Sequence, residues 1–109
     1  MVDVQPYLQQ ILERFSQPGV QTSLKGFTRV LLFRFTDTHE DWLIRAVDGK
    51  AATLAKETIA NPDITIITTT DVLAGVMDRK INPLAAYMQR KIQTRGSMED
   101  LVKMQKLIL

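Results

Sequence analysis

The order of apolar segments in the second half of the chain, residues 61–109, allows few folds. A short strand-like run at 64–68 leads directly into a segment whose apolar residues recur at helical spacing. Pro83 can open a second helix, because a proline in the first turn removes no helical hydrogen bond. A further stretch alternates apolar and polar residues, and from Ser97 onward apolar residues cover more than half of a helical circumference. These features predict the order strand, helix, helix, strand, helix.

The N-terminal segment predicts one amphipathic helix that packs on a sheet as a lid. Asp3 is a potential cap, and Pro6 suits the first turn. Apolar residues then recur at helical spacing along one side: Tyr7, Leu8, Ile11, Leu12 and Phe15. Pro18 and Gly19 are expected to stop this helix.

Three antiparallel strands are predicted to follow in sequence. The run at 27–36 is β-branched and aromatic, with apolar residues on both faces, which is typical of a central strand covered on both sides. The segment 42–47 is the next strand, and Asp48-Gly49 predicts a hairpin leading into the small-residue strand 51–55.

Strands at 64–68 and 91–95 complete the predicted sheet. Because runs of strands precede helices gathered near the end of the chain, the fold class is α+β. We expect a mostly antiparallel five-stranded sheet with helices packed on one face.

Polar residues stand where helix caps are needed. Thr70 or Asp71 is expected to cap the helix after the fourth strand. Ser97 is expected to cap the last helix, with Asp100 placed to reach back in a capping box.

Length and composition indicate a single domain over residues 1–109. Hydrophobic residues make up 45% of the chain and charged residues 24%, as in ordinary globular proteins. No apolar run approaches the ~20 residues that span a bilayer, and no charged-then-apolar leader stands at the N-terminus. The absence of cysteine excludes disulfides and thiolate chemistry. We therefore expect a cytoplasmic location.

The charge is unevenly distributed, although the net charge is only +2. Residues 1–78 carry 7 basic and 10 acidic side chains, whereas residues 79–109 carry 7 basic ones against Glu99 and Asp100. A basic C-terminal third could meet an anionic lipid surface or a nucleic-acid backbone, but charges that are scattered rather than clustered are more typical of solvated helix and strand faces. Nucleic-acid binding requires basic residues interleaved with exposed aromatics. The sequence does not show that pattern, so we expect no nucleic-acid partner.

The sequence predicts no catalytic, metal or cofactor site. His39 is the one histidine, and it lies with Glu40 and Asp41 in a predicted turn, where adjacent residues rarely converge on one ion. Asp71 and Asp78 are about two helical turns apart, too far to share a proton. The glycines stand alone rather than in a phosphate-cradling loop. We expect a protein that is not an enzyme.

Four methionines fall on apolar helix faces in the C-terminal half: Met77, Met88, Met98 and Met104. Methionine is over-used at adaptable apolar binding surfaces, and it is also a common filler of ordinary cores. The residues alone leave both interpretations open.

Four motifs in this half resemble those of the sterol carrier protein 2 (SCP-2) lipid-binding family. Asn61-Pro62-Asp63 followed by Ile64-Thr65-Ile66-Ile67 looks like the family's acidic-to-apolar strand, and Thr70-Asp71-Val72-Leu73 looks like the start of its next helix. Ile81-Asn82-Pro83-Leu84-Ala85-Ala86-Tyr87-Met88 resembles a proline-initiated helix, and Lys91-Ile92-Gln93-Thr94-Arg95-Gly96-Ser97 a short strand ending at glycine. The chain departs from the family at Arg90, where members often have glycine, and at Ser97, where many have aspartate.

The resemblance implies a non-catalytic lipid carrier that holds fatty acyl, sterol-like or isoprenoid chains in an apolar tunnel between the sheet and the C-terminal helices. An empty chamber of ~300 Å³ would cost about 7 kcal/mol, so it should be occupied or collapse. The last helix would be the gate, with few polar contacts fixing its end. The expected lining residues are Leu31, Phe33, Trp42, Ile44, Leu73, Met77, Leu84, Tyr87, Met88, Leu101, Met104 and Leu107.

Two kinds of partner besides the lipid are expected. Basic residues could contact an anionic membrane surface transiently: Arg90, Lys91, Lys103 and Lys106. Relatives also act as accessory domains in lipid and quinone metabolism, so the alternative is an interaction scaffold with a filled core, acting as a homodimer or with a protein partner.

Overall fold

A computed structural model of the protein describes residues 2–108, and within that range it describes the side chains of all but residues 51–52 and 105–108. The helices are α1 (Gln5–Arg14), α2 (Pro18–Ser23), α3 (Thr70–Met77), α4 (Pro83–Met88) and α5 (Met98–Ile108). The strands are β1 (Arg29–Phe35), β2 (Glu40–Val47), β3 (Lys50–Ala55), β4 (Ile64–Thr68) and β5 (Gln93–Arg95).

The five strands form one sheet in the order β3-β2-β1-β4-β5. β1 pairs antiparallel with β2, as β2 does with β3 and β4 with β5. β1 and β4 are parallel, with Leu31 opposite Ile64. The predicted α+β class and the mostly antiparallel five-stranded sheet are confirmed, and the parallel pairing of β1 with β4 makes the sheet mixed.

β1 and β4 are parallel because residues 56–63 cross the sheet from β3, at one edge, to the side of β1 that β2 does not occupy. This crossover covers the face that holds Leu32 and Leu43, which are 1% and 0% exposed. Thr58 Oγ1 donates a 2.9 Å hydrogen bond to Asp41 on that face. The crossover therefore supplies the second cover that the two-sided apolar pattern of β1 required.

The opposite face of the sheet packs against the helices. One cluster joins residues of the central strands, such as Phe33 and Ile44, to Leu8 of α1, Leu73 of α3 and Met104 of α5. The sheet therefore has its helices on one face, as predicted.

Three local features differ from the sequence-based expectations. Pro18 does not merely end α1: it occupies the first turn of α2, where proline is favoured. Thr69, rather than Thr70 or Asp71, caps α3, because its Oγ1 accepts the N–H of Val72 at 3.3 Å. β5 begins only at Gln93, since the preceding segment completes the end of α4.

Candidate functional site

Half of the residues predicted to line a binding chamber lie together in the buried core. They come from β1, β2, α3 and α5 and share one cluster: Leu31, Phe33, Ile44, Leu73, Met77 and Met104. Trp42 and Leu101 are partly buried and pack against this cluster. The sequence therefore identified an apolar region that joins the sheet to the helices.

The residues predicted from α4 lie elsewhere. Leu84, Tyr87 and Met88 are 65%, 53% and 74% exposed, whereas Ala86 on the inner side of α4 is buried. The structure does not bring these three into the cluster. Leu107 lies outside the residues whose side chains are described.

Side chains fill the described part of the region between sheet and helices. Phe15, Phe33 and Phe35 are among its largest fully buried residues. This packing is one of the two outcomes expected from the cost of an empty apolar chamber. A guest chain among these residues would have to displace side chains or move a helix.

A cleft of about 450 Å³ opens at the surface between the end of α1 and the α3–α4 connection. Its volume is within the range of small-molecule sites. Its lining residues are Arg14, Val76, Met77, Arg79, Lys80, Ile81, Asn82 and Pro83. Met77 also belongs to the core cluster, so the apolar floor of the cleft is continuous with the protein interior. The lining combines apolar and basic residues, which suits an anionic amphiphile.

Sequence reasoning missed this cleft. Arg14 joins the wall only because α1 packs beside α3, and no local pattern links it to Arg79 or Lys80. The signal that could have been used is the basic pair Arg79 and Lys80, which follows the helix predicted after the fourth strand.

Close packing shapes the floor of the cleft. The backbone N–H groups of Lys80 and Ile81 donate to the carbonyl of Gly75 at 2.8 and 3.0 Å. A Cβ atom on Gly75 would overlap the Ile81 side chain. Glycine at this position therefore allows the α3–α4 connection to fold back against α3.

A hydrogen bond joins α1 to the end of α3 near the cleft. The hydroxyl of Tyr7 donates to Asp78 Oδ2 at 2.8 Å. This hydrogen bond, with some loss of hydration and the negative charge of Asp78, raises the pKa of Tyr7 above its usual value. The contact fixes how α1 meets α3 at ordinary pH.

Trp42 lies at the border of the core cluster, opposite Phe33 on the neighbouring strand. Among the described residues, its indole Nε1 is buried without a hydrogen-bond partner. Lys56 Nζ lies 6.0 Å from the ring centroid, within the range of a cation–π contact. These surroundings make Trp42 sensitive to any change in core packing.

Two polar contacts hold the start of the last helix. Ser97 caps it as predicted, since its Oγ accepts the N–H of Asp100 at 3.1 Å. The Asp100 side chain does not complete the capping box by reaching back: it accepts a hydrogen bond from Arg29 Nε at 2.9 Å and is almost buried. An ion pair therefore anchors the first turn of the helix to β1. The far end of the helix lies outside the residues whose side chains are described, so the expectation of few polar contacts there stays a prediction.

The predicted basic contact residues differ in their surroundings. Arg90 and Lys91 are exposed immediately after α4. Lys103 forms a 3.6 Å ion pair with Glu99 along α5. Lys106 lies outside the residues whose side chains are described.

The fold and the sequence together place the protein in a known class. The sequence profile of the SCP-2 sterol transfer family matches residues 8–109, and the chain belongs to that family. Comparison with curated protein sequences finds no match.

Solved structures show the same fold at low sequence identity. Palmitated SCP2L2 from Aedes aegypti has a TM-score of 0.73 and 18% identity, over 98% of this chain and 95% of that one. The UbiJ-SCP2 ubiquinone synthesis protein has a TM-score of 0.68 and 15% identity, over 93% and 87%. The inverting sec-alkylsulfatase Pisa1 from a Pseudomonas species has a TM-score of 0.65 and 19% identity over 81% of this chain. The matched region is only 14% of that sulfatase.

No helix within residues 2–108 has the length and apolar character needed to cross a membrane.

Proposed function

We propose that the protein is a non-catalytic lipid carrier that binds a single fatty acyl or comparable apolar chain. The observation that carries this proposal is the match of the SCP-2 sterol transfer family to nearly the whole chain. The apolar cluster beside a cleft with a basic rim supports it, because the two together suit an apolar chain with an anionic head.

The cleft at the α3–α4 connection is the proposed point of entry. Val76, Met77 and Ile81 would contact the apolar chain, while Arg79 and Lys80 would attract a carboxylate or phosphate. The chain would then extend toward the core cluster through Met77. Methionine is unbranched and flexible, so Met77 and Met104 can repack around a guest at low cost.

Carriage then requires the protein to alternate between a closed form with a filled core and an opened form with a guest. The filled core of the free protein keeps it stable without a ligand. Apolar walls respond mainly to size and shape, so selectivity among chains of similar length should be low.

A binding experiment with palmitate, below the concentration at which it forms micelles, tests the proposal. We expect a change in Trp42 fluorescence and a rise in Tm, with a one-to-one complex in native mass spectrometry. Methyl palmitate is the matched ligand without charge and should bind more weakly. No response of fluorescence, Tm or mass to either ligand would refute the carrier function.

The basic rim can be tested with a pair of matched variants. Arg79→Gln with Lys80→Gln should weaken palmitate binding and leave methyl palmitate binding unchanged. Lys25→Gln with Lys50→Gln removes the same charge from exposed positions outside the cleft and should change neither. Equal weakening by both pairs would show that the cleft is not the entrance.

A second candidate function is an accessory scaffold that uses the same fold with a filled core. The packed interior and the exposed apolar side of α4 favour it, as does the likeness to a ubiquinone synthesis protein. Native mass spectrometry discriminates: a tight dimer without bound lipid after mild purification supports the scaffold, and a lipid-loaded monomer supports the carrier.

A further inference from the structure

Helix α4 has its apolar side turned toward solvent. Leu84, Tyr87 and Met88 recur at i, i+3 and i+4, so they occupy one side of the helix. All three are more than half exposed, while the small Ala86 faces inward at 1% exposure. A surface helix normally buries its large apolar residues and exposes its polar ones. In α4 the large apolar residues are the exposed ones.

Two helices end in the same kind of C-terminal cap, α3 before this apolar side and α4 after it. α3 is followed by Arg79 and Lys80, and α4 is followed by Arg90 and Lys91. In each case the lysine N–H donates a 2.8 Å hydrogen bond back to a carbonyl in the last turn of the helix, from Lys80 to Gly75 and from Lys91 to Ala86. This is the Schellman arrangement, which satisfies carbonyls that a helix end leaves free.

The arginine in each cap has a backbone conformation that usually belongs to glycine. The φ angles of Arg79 and Arg90 are 60° and 61°. Glycine is the common residue here because a Cβ atom is disfavoured in the left-handed region. Two such positions occupied by arginine indicate that charge at these points serves a purpose other than closing the helix.

The four cations are available to an external partner. All are exposed, and the ion pairs within the described residues involve none of them. Along the chain they precede and follow α4, so its apolar residues lie between two basic pairs. An apolar centre with a basic border is complementary to a lipid bilayer with negatively charged headgroups, where apolar side chains enter the acyl boundary and cations remain at the phosphates.

We propose that the outward side of α4, with Arg79, Lys80, Arg90 and Lys91, docks the protein on anionic phospholipid membranes. Leu84 and Met88 would enter the acyl boundary, and Tyr87 would sit at the headgroup level, where aromatic rings with a polar end are favoured. The inference is independent of the carrier function, because a protein with a filled core could dock in the same way.

Co-flotation with vesicles tests the docking surface. We expect binding to phosphatidylcholine vesicles that contain phosphatidylserine, with much weaker binding to phosphatidylcholine alone and a decline at high salt. Each cation near an anionic leaflet is worth about fivefold in affinity, so Arg79→Gly with Arg90→Gly should reduce affinity about 30-fold. The same pair should leave Tm unchanged or raise it, because glycine suits both positions.

Matched variants distinguish docking through α4 from a general effect of net charge and from self-association. Lys25→Gln with Lys50→Gln removes two exposed charges elsewhere and should retain vesicle binding. Leu84→Ser with Met88→Ser should weaken vesicle binding with Tm preserved, because both side chains are exposed.

Absence of binding to phosphatidylserine vesicles, or equal losses in the control pair, would overturn the proposal. So would a dimer that these serine substitutions convert to a monomer without affecting vesicle binding, since α4 would then contact a second copy.

Discussion

The carboxylate of Asp100 lies 2.9 Å from Arg29 Nε, which fastens the first turn of α5 to the first residue of β1. The Asp100 side chain is only 9% exposed and that of Arg29 is 42% exposed. The N-terminal end of α5 is therefore fixed. If α5 moves to admit a ligand, it must pivot about this contact.

Replacing Asp100 with asparagine should loosen α5. A hydrogen bond between charged groups contributes about 1.5–3 kcal/mol, and the exposure of Arg29 places this one toward about 1–2 kcal/mol. Urea denaturation should show that loss, and the amides of α5 should exchange faster with solvent. Glu99→Gln is the matched control, since that neighbouring carboxylate is 79% exposed and should contribute less than about 0.5 kcal/mol. Equal losses in the two variants would contradict an anchoring role for Asp100.

The ion pair between Asp41 and Arg34 predicts a specific sensitivity to acid. The hydrogen bond from Arg34, aided by Thr58 and the arginine charge, lowers the pKa of Asp41 despite its partial burial. Because the pKa of Asp41 is lower in the folded state, its ionised carboxylate stabilises the fold at every pH above the unfolded-state pKa of about 4. This stabilisation is lost as the pH falls through the folded-state pKa. Asp41→Asn should therefore be less stable than the parent protein at pH 7, with the difference shrinking below about pH 4. Urea denaturation across this pH range measures it, and a difference that persists undiminished in acid would exclude the mechanism.

Replacing glycine with alanine should have different effects on stability at Gly75 and at Gly19. Gly75→Ala gains helix propensity of about 1 kcal/mol, but its Cβ would overlap Ile81, and overpacking costs about 1–3 kcal/mol. We expect net destabilisation of about 1 kcal/mol, relieved when Ile81→Ala is added. Gly19→Ala meets no atom within 4 Å and should be neutral or slightly stabilising. A double-mutant cycle in urea checks the coupling, and simple additivity of Gly75→Ala and Ile81→Ala would show that the contact is unimportant.

Removing Phe33 tests whether the core can accept a guest. Phe33 is fully buried, so Phe33→Ala should cost about 3–5 kcal/mol. A saturating medium-chain fatty acid should then raise Tm more in the variant than in the parent, because it refills the space. Tyr87→Ala, on the exposed side of α4, is the control and should change stability by less than about 0.5 kcal/mol. If the fatty acid stabilises parent and variant equally, the guest does not reach the core.

Local patterns predicted most of the architecture. The five strands, the N-terminal helix and the proline-initiated α4 follow from period, turn residues and caps that lie close together in sequence. The helical start at Pro18 was missed because the same residue can end one helix or begin another. The parallel pairing of β1 with β4 was not predicted either, because it depends on the path of the crossover rather than on the composition of either strand.

The site residues show where periodicity stops being informative. Leu84, Tyr87 and Met88 have the spacing of a helix side, but spacing identifies which residues share a side and not which way that side faces. The buried Ala86 opposite them decides the orientation of α4, and only the packed structure shows it. The cleft depends on Arg14 approaching the α3–α4 connection across a long separation in sequence.

The crossover at 56–63 has a consequence for synthesis of the protein. β1, β2 and β3 are successive neighbours in chain and sheet, so they can pair as soon as they leave the ribosome. One edge of β1 stays unpaired until β4 arrives, and Leu32 and Leu43 stay uncovered until the crossover closes over them. The nascent chain is therefore most prone to associate with its neighbours during that interval, and a pause in synthesis after β3 has left the ribosome and before β4 has done so would prolong it.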